Sequence, residues 1–192
     1  MSRVLLIFAH PSHDSYNFGI LQKAVEGLNE RGHEVQVTDL YGAKFDPVLT
    51  EDEFYRKHTP EIILEEQAKV IWADLLFFIF PVWWWSPPAI LKGWLERVLC
   101  QNFAFRYDIK VNGTVGTLQD RRAVIISTSS SDPNHYPIRW QAASHTDFVR
   151  EILITSGLNV IKQMNFYEVH QYADQGELST RLDDVYNFAK TL

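Results

Sequence analysis

The stretch from Leu75 to Val98 constrains the fold of this chain more than any other. It opens with Leu75-Leu76-Phe77-Phe78-Ile79-Phe80, an apolar run with the length of a strand buried on both faces of a parallel sheet. Pro87 and Pro88 then suit the first turn of a helix, where a missing N–H costs nothing. Ile90, Leu91, Trp94, Leu95 and Val98 recur at helical spacing. Between strand and helix stand Pro81, Val82, Trp83, Trp84, Trp85 and Ser86. Successive side chains of an extended segment point opposite ways, so three consecutive tryptophans cannot all enter one core. A cleft is the remaining place for at least one ring, and clefts in open α/β sheets lie outside the carboxyl ends of the strands. The hinge is read as the wall of a site for a flat aromatic cofactor.

The rest of the chain follows the same alternation. Val4-Leu5-Leu6-Ile7-Phe8 is a buried strand, followed by a polar loop and by a helix whose Ile20, Leu21, Ala24, Val25 and Leu28 share a face, with Arg31-Gly32 at its stop. Residues 34–40 alternate as a second strand. Residues 42–52 read as a loop, and Pro60 opens a helix running to about Ala73. Residues 101–121 read as irregular, with Asn112-Gly113 as a turn signal. Residues 123–126 form a fourth strand, 140–154 a helix, 160–167 a fifth strand and 178–192 a last helix. Strands alternating with helices imply βαβ units and a parallel sheet with helices on both faces. Five strands fit the flavodoxin-like order 2-1-3-4-5, in one domain spanning residues 1–192. That order brings together the loops after the first, third and fourth strands. These are the loops of unusual composition: residues 10–17, the tryptophan hinge, and residues 127–136.

Each loop suggests chemistry and an ordinary alternative. The loop after the first strand feeds a helix N-terminus, whose free N–H groups and dipole favour an anion. Ser12, Ser15 and Asn17 add polar groups, more than a helix cap by Asp14 or Ser15 requires. A phosphate is the natural ligand. Neither G-x-G-x-x-G nor G-x-x-x-x-G-K-[ST] occurs, which disfavours a Rossmann dinucleotide site and a P-loop. His10 and His13 beside Asp14 have no further Cys/His cluster to complete a metal site, so no metal is expected. A hydrolase using Ser15 or Ser86 with His145 or His170 lacks a G-x-S-x-G elbow. The hydroxyl-rich residues 127–136 alone fit a solvated loop; beside an aromatic hinge they suit the polar edge of a flavin ring. The net charge of −6 argues against general attraction to nucleic acid or an anionic membrane. No apolar run reaches the length of a membrane span. The single cysteine, Cys100, excludes an internal disulfide or an iron–sulfur cluster and reads as a helix-end packing residue. A cytoplasmic protein is expected.

Taken together, these residues resemble the flavin-dependent NAD(P)H:quinone oxidoreductase family, a flavodoxin-like branch that includes ancillary subunits of potassium efflux systems. The resemblance is carried by Ala9-His10 with Ser15-Tyr16-Asn17, by Thr38-Asp39-Leu40-Tyr41 with Phe45-Asp46-Pro47, by Ala73-Asp74-Leu75, and above all by residues 80–85 running into 88–98. It implies that His10, Ser15, Tyr16 and Asn17 hold the flavin phosphate region. It places Pro81, Val82, Trp83, Trp84 and Trp85 behind the isoalloxazine ring, and Thr128, Ser129, Ser130 and Ser131 near its polar edge. Tyr136 corresponds to a tyrosine that stabilises charge on the reduced flavin. Two departures stand out: Ser130-Ser131 replace a glycine pair, and a downstream family histidine falls at Ala142, with His145 only nearby. The implied activity is two-electron hydride transfer from NAD(P)H, through FMN or FAD, to a quinone or similar planar acceptor, in a homodimer. The alternative is a regulatory flavoprotein subunit of a cation efflux system.

Overall fold

Alternation of buried side chains to the two faces of one parallel sheet builds this molecule. In the computed structural model, which describes residues 1–132 and 147–192, β1 (Arg3–Phe8) lies between β2 (Glu34–Asp39) and β3 (Leu75–Pro81), and β6 (Arg122–Thr128) and β7 (Asn159–Phe166) extend the sheet beyond β3. The order is β2-β1-β3-β6-β7 and every pairing is parallel. Counting only strands of this sheet, the order is the expected 2-1-3-4-5. Leu5, Ile7, Leu76, Phe78, Phe80 and Ile125 face one side. They meet Ile63 and Val70 of α3 (Glu61–Trp72), Leu91, Trp94, Leu95 and Val98 of α4 (Ala89–Val98), and Val149 and Leu153 of α5 (Asp147–Thr155). Val4, Leu6, Phe8, Phe77, Ile79 and Val124 face the other side. There they meet Ile20, Ala24 and Leu28 of α1 (Tyr16–Glu30) and Val185 and Ala189 of α6 (Gln175–Ala189). β1, β3 and β6 read as unbroken apolar runs because helices cover both their faces.

Local signals set the boundaries. Ser15 caps α1 by accepting the Phe18 N–H, and the chain leaves α1 through Gly32 at φ 73. Residues 42–52, expected as loop, end in a short helix, α2 (Glu51–Phe54). Its capping box was present in the sequence as Thr50-x-x-Glu53: Thr50 Oγ1 accepts the Glu53 N–H at 3.3 Å, and Glu53 Oε2 accepts the Thr50 N–H at 3.2 Å. Residues 101–121, expected as irregular, contain an antiparallel hairpin of β4 (Phe105–Asp108) and β5 (Gly113–Gly116) outside the main sheet. Asn112, at φ 50, makes its turn. The hairpin is short and mostly exposed, so no apolar face marks it. The first part of the expected 140–154 helix lies outside the described residues.

Two buried polar groups hold the helical layer over α3 and α4. Glu66, 2% exposed, accepts the Trp94 indole N–H at 2.9 Å and the Thr38 hydroxyl at 3.1 Å, and pairs with Lys69. Arg97 donates to Glu53 at 2.8 Å and to the Asp46 carbonyl, tying the loop before α2 to α4. That loop lies directly on Gly93, where a Cβ would stand 2.3 Å from the Pro47 carbonyl oxygen. Gly93→Ala gains about 1 kcal/mol of helix propensity but forces loop and helix apart at a cost of about 3 kcal/mol. A net loss of about 2 kcal/mol, seen as a melting temperature lower by roughly 6 °C, is expected in thermal denaturation followed by circular dichroism.

Candidate functional site

Thr128, the last residue of β6, joins the loops at the carboxyl edge of the sheet. Its carbonyl accepts the Val82 N–H at 2.7 Å, just beyond β3. Its hydroxyl accepts a hydrogen bond from Asn17 Nδ2, in the first turn of α1, also at 2.7 Å. The Ser129 N–H continues the pattern to the Phe166 carbonyl at the end of β7. The expected convergence of loops is therefore present, fixed by register and by two contacts to one residue. A cavity of about 310 Å³ opens there, lined by Val82, Trp83, Trp84, Trp85, Ser129, Ser130 and Ser131.

The tryptophan hinge is a hairpin turn. Trp83 N–H donates to the Ser86 carbonyl at 2.9 Å and Ser86 N–H to the Trp83 carbonyl at 3.1 Å. Trp84 and Trp85 occupy the two central positions at φ 51 and 58. Both are left-handed, the type I′ requirement that Asn-Gly ordinarily meets, and each costs a non-glycine residue about 1–2 kcal/mol. The rings stand outside the core: Trp84 is 88% exposed and Trp85 40%. They meet edge to face with centroids 5.9 Å apart. Pro81 is buried in β3, whereas Trp83 turns toward His10, 6.0 Å between rings.

The start of α1 is built for a polar ligand. The first-turn N–H groups of Tyr16 and Asn17 have no acceptor within the helix. Asn17 is 3% exposed, and its Oδ1 has no hydrogen-bond partner among the described residues. A buried acceptor left bare costs about 1–3 kcal/mol, so the site calls for a donor such as a ligand hydroxyl. His10 is fastened by Nδ1 to the Ser12 backbone at 3.0 Å. Burial pushes its pKa below the usual imidazole value, outweighing the raising effect of the Ser12 carbonyl 3.1 Å from Nδ1, so the ring is neutral near pH 7. Tyr16 differs from its expected place: its hydroxyl donates to the Leu178 carbonyl at 2.8 Å, committing the side chain to α6 and leaving its backbone N–H to the cleft. Ser15 donates its hydroxyl to the Ser12 carbonyl at 2.7 Å, and Ser86 to the Pro87 carbonyl. Among the described residues neither serine is bonded to an imidazole, His170 included, while His145 lies outside them.

The serine loop is anchored without strain. Ser129 accepts the Val169 N–H at 2.9 Å, and the Ser131 N–H donates to Ser129 Oγ at 3.3 Å. Ser130 and Ser131 are absent from the left-handed residues, so two serines fit where a glycine pair is the family pattern. Tyr136, and with it Ala142 and His145, lies outside the described residues. One contact escaped the sequence reading: His13 Nε2 meets Asp39 Oδ2 at 2.7 Å while its ring stacks on Phe18 at 4.6 Å. It pins the loop after β1 to the end of β2. An aspartate closing an alternating strand was the available signal.

A larger cavity, about 620 Å³, is lined by α3, α4 and the segment after α4 and includes Ile63, Gln67, Leu95, Cys100 and Phe105. Among the described residues it shares no lining residue with the cleft. Burial pushes the Cys100 thiol pKa up, which keeps it protonated. Among the described residues no helix is long and apolar enough to cross a membrane.

A three-layer parallel fold with an aromatic-walled cleft at its switch point defines the class, and the chain belongs to the flavodoxin-like fold family, which matches residues 2–187. It is 34% identical over 198 residues to the ribosyldihydronicotinamide dehydrogenase-like protein traD of Penicillium crustosum, covering 88% of this chain and 74% of that protein. It is 38% identical over 154 residues to the ribosyldihydronicotinamide dehydrogenase (quinone) of Rattus norvegicus, covering 70% of this chain and 66% of the rat protein's length. A solved NAD(P)H:quinone oxidoreductase from Methanothermobacter marburgensis superposes with a TM-score of 0.83 at 26% identity, covering 98% of both chains.

Tyr16 gives the site's scaffold a pH dependence. Burial raises its phenol from the ordinary 10 to about 12, more than Arg181 lowers it. The unfolded chain thus ionises first as pH rises. The stability that comes from keeping Tyr16 neutral is intact below about pH 10 and disappears as pH climbs toward 12. Melting temperatures of wild type and Tyr16→Phe measured from pH 8 to 12 are expected to converge across that upper window.

Proposed function

We propose that this chain is a flavin-dependent NAD(P)H:quinone oxidoreductase, working as a cytoplasmic homodimer. The observation that carries the reading is the set of contacts on Thr128, which gathers a helix N-terminus, an aromatic hairpin and a hydroxyl-rich loop around one cleft. The dehydrogenases and oxidoreductases to which the chain is similar favour catalysis over the role of an efflux-system subunit.

The residues fit a flavin. Ser15 and the first-turn N–H groups of α1 would hold its phosphate, with the helix dipole favouring the negative charge. The bare Oδ1 of Asn17 would accept a hydroxyl of the ribityl chain. His10, neutral and fixed by Ser12, would flank the same region. Pro81, Val82, Trp83, Trp84 and Trp85 would wall the isoalloxazine ring. Thr128 would position Asn17, while Ser129, Ser130 and Ser131 would offer N–H and O–H groups to the ring's polar edge. When bound, the flavin supplies reversible two-electron chemistry. The tryptophan turn and the serine loop would orient the planar partners, NAD(P)H and a quinone, beside it. Tyr136 would donate its phenolic proton toward an oxygen that gains negative charge, a contribution worth up to about 10²-fold in rate.

FAD is expected over FMN. A cavity of about 210 Å³, bordered by His170, Tyr172 and Arg181, lies beside α6. Leu178 lines it too, and its carbonyl is held by Tyr16 at the start of α1. An adenosine extending from a phosphate at α1 would meet two aromatic rings there.

The absorbance spectrum of the purified protein, before and after NADH or NADPH without oxygen, tests the class. Flavin bands that bleach are expected, and chromatography of the released flavin separates FAD from FMN. Colourless protein that takes up neither flavin would refute the proposal. Tyr136→Phe should slow flavin reduction about 10²-fold with flavin affinity nearly intact; an unaltered rate in stopped-flow measurements would remove Tyr136 from the mechanism.

A further inference from the structure

The turn at positions 84 and 85 does not call for tryptophan. A two-residue type I′ turn is met at no steric cost by Asn-Gly, because asparagine and glycine enter the left-handed region readily. Here both central residues are tryptophans in that region. Burial, the ordinary reason for a tryptophan, does not account for Trp84 at 88% exposed or for much of Trp85 at 40%. The strained geometry persists because its surroundings determine it from both ends. Upstream, the Val82 N–H is fixed to the Thr128 carbonyl. Downstream, Ser86 and Pro87 each precede a proline and are thereby held extended, and Pro88 starts α4. Paired hydrogen bonds between Trp83 and Ser86 close the turn. Such outliers persist only where the surroundings over-determine them, and they concentrate at ligand clamps. Both rings line the cleft together with Ser129, Ser130 and Ser131.

We propose that Trp84 and Trp85 stand in a turn suited to Asn-Gly for the sake of the ligand: the turn is strained in the chain itself, and contact of a planar ring with the indoles, face on one and edge on the other, offsets the strain. The proposal rests on the flavin reading and adds to it that the site is kept at the expense of stability, at one identifiable pair of residues. Replacing both tryptophans with the turn's preferred residues then stabilises the chain and disables the site. Removing the rings without relieving the backbone disables the site only.

Three full-length proteins separate these effects: wild type, Trp84→Asn/Trp85→Gly and Trp84→Ala/Trp85→Ala. Each is stripped of flavin, melted alone, and titrated with FMN and with FAD by fluorescence quenching. Without flavin, Trp84→Asn/Trp85→Gly is expected to melt about 4 °C or more above both other proteins. Both variants are expected to bind flavin at least tenfold more weakly than wild type. Trp84→Asn/Trp85→Gly melting no higher than Trp84→Ala/Trp85→Ala would show that the turn is unstrained and overturn the proposal. Wild-type flavin affinity in Trp84→Asn/Trp85→Gly would overturn it as well, because the rings would then serve no ligand. A wild type that takes up neither flavin would overturn the functional reading beneath the proposal, an outcome that the melting comparison by itself cannot produce.

Discussion

Parallel pairing leaves the ends of strands level with one another, and at the end of β6 that levelling is converted into a site by one side chain. Pro81 of β3 lies in register with Thr128, so the backbone just past β3 reaches the Thr128 carbonyl. The Phe8–Ile79 register brings the loop after β1 to the same height, and Asn17 descends from α1 onto the Thr128 hydroxyl. Without the buried amide–hydroxyl contact, α1 would still pack on the sheet through Ile20, Ala24 and Leu28. Its N-terminus would not be indexed to the tryptophan turn. The helical packing sets where α1 lies, and the polar contact sets which atoms face the cleft.

Much of this was legible in the chain. Buried strands announce themselves as apolar runs, and the three loops of odd composition did meet where the strand order required. The central strands β1, β3 and β6 were readable because helices cover both their faces; the β4–β5 hairpin was not, because a short exposed ribbon carries no apolar alternation. The short helix at residues 51–54 did carry a signal, the Thr50–Glu53 box, but a single turn has no periodicity to reinforce it. At the site, residue identity predicted neighbourhood better than contact. Tyr16 was placed at the cleft by its position in the chain, and its side chain left for α6. Asn17 was read as one polar group among several, whereas the structure makes it the link to Thr128. The left-handed turn at Trp84 and Trp85 could not be read from sequence rules at all, since those rules expect asparagine and glycine there.

The two faces of the sheet carry different duties. The face under α3 and α4 is braced by buried polar groups, with Glu66 joining Thr38, Lys69 and Trp94 and with Arg97 holding Glu53 and the loop at Asp46. Such groups are satisfied only in one arrangement, so they fix how that layer sits. The face under α1 and α6 is closed by close backbone approach instead. Gly27 lets α1 come so near α6 that a Cβ would stand 2.6 Å from the Tyr186 carbonyl oxygen.

That approach ties α1 to α6, two helices far apart in the sequence. The apolar stripe of α1 is completed by Val185 and Ala189 of α6, and Tyr16 reaches the Leu178 carbonyl across 162 positions of sequence. While the polypeptide is being made, everything up to β7 can exist with one flank of α1 still bare to water. The helix that presents its N-terminus to the cleft is fully seated only once α6 packs against it. The cleft is therefore not completed in the order of the sequence: α1 waits for α6.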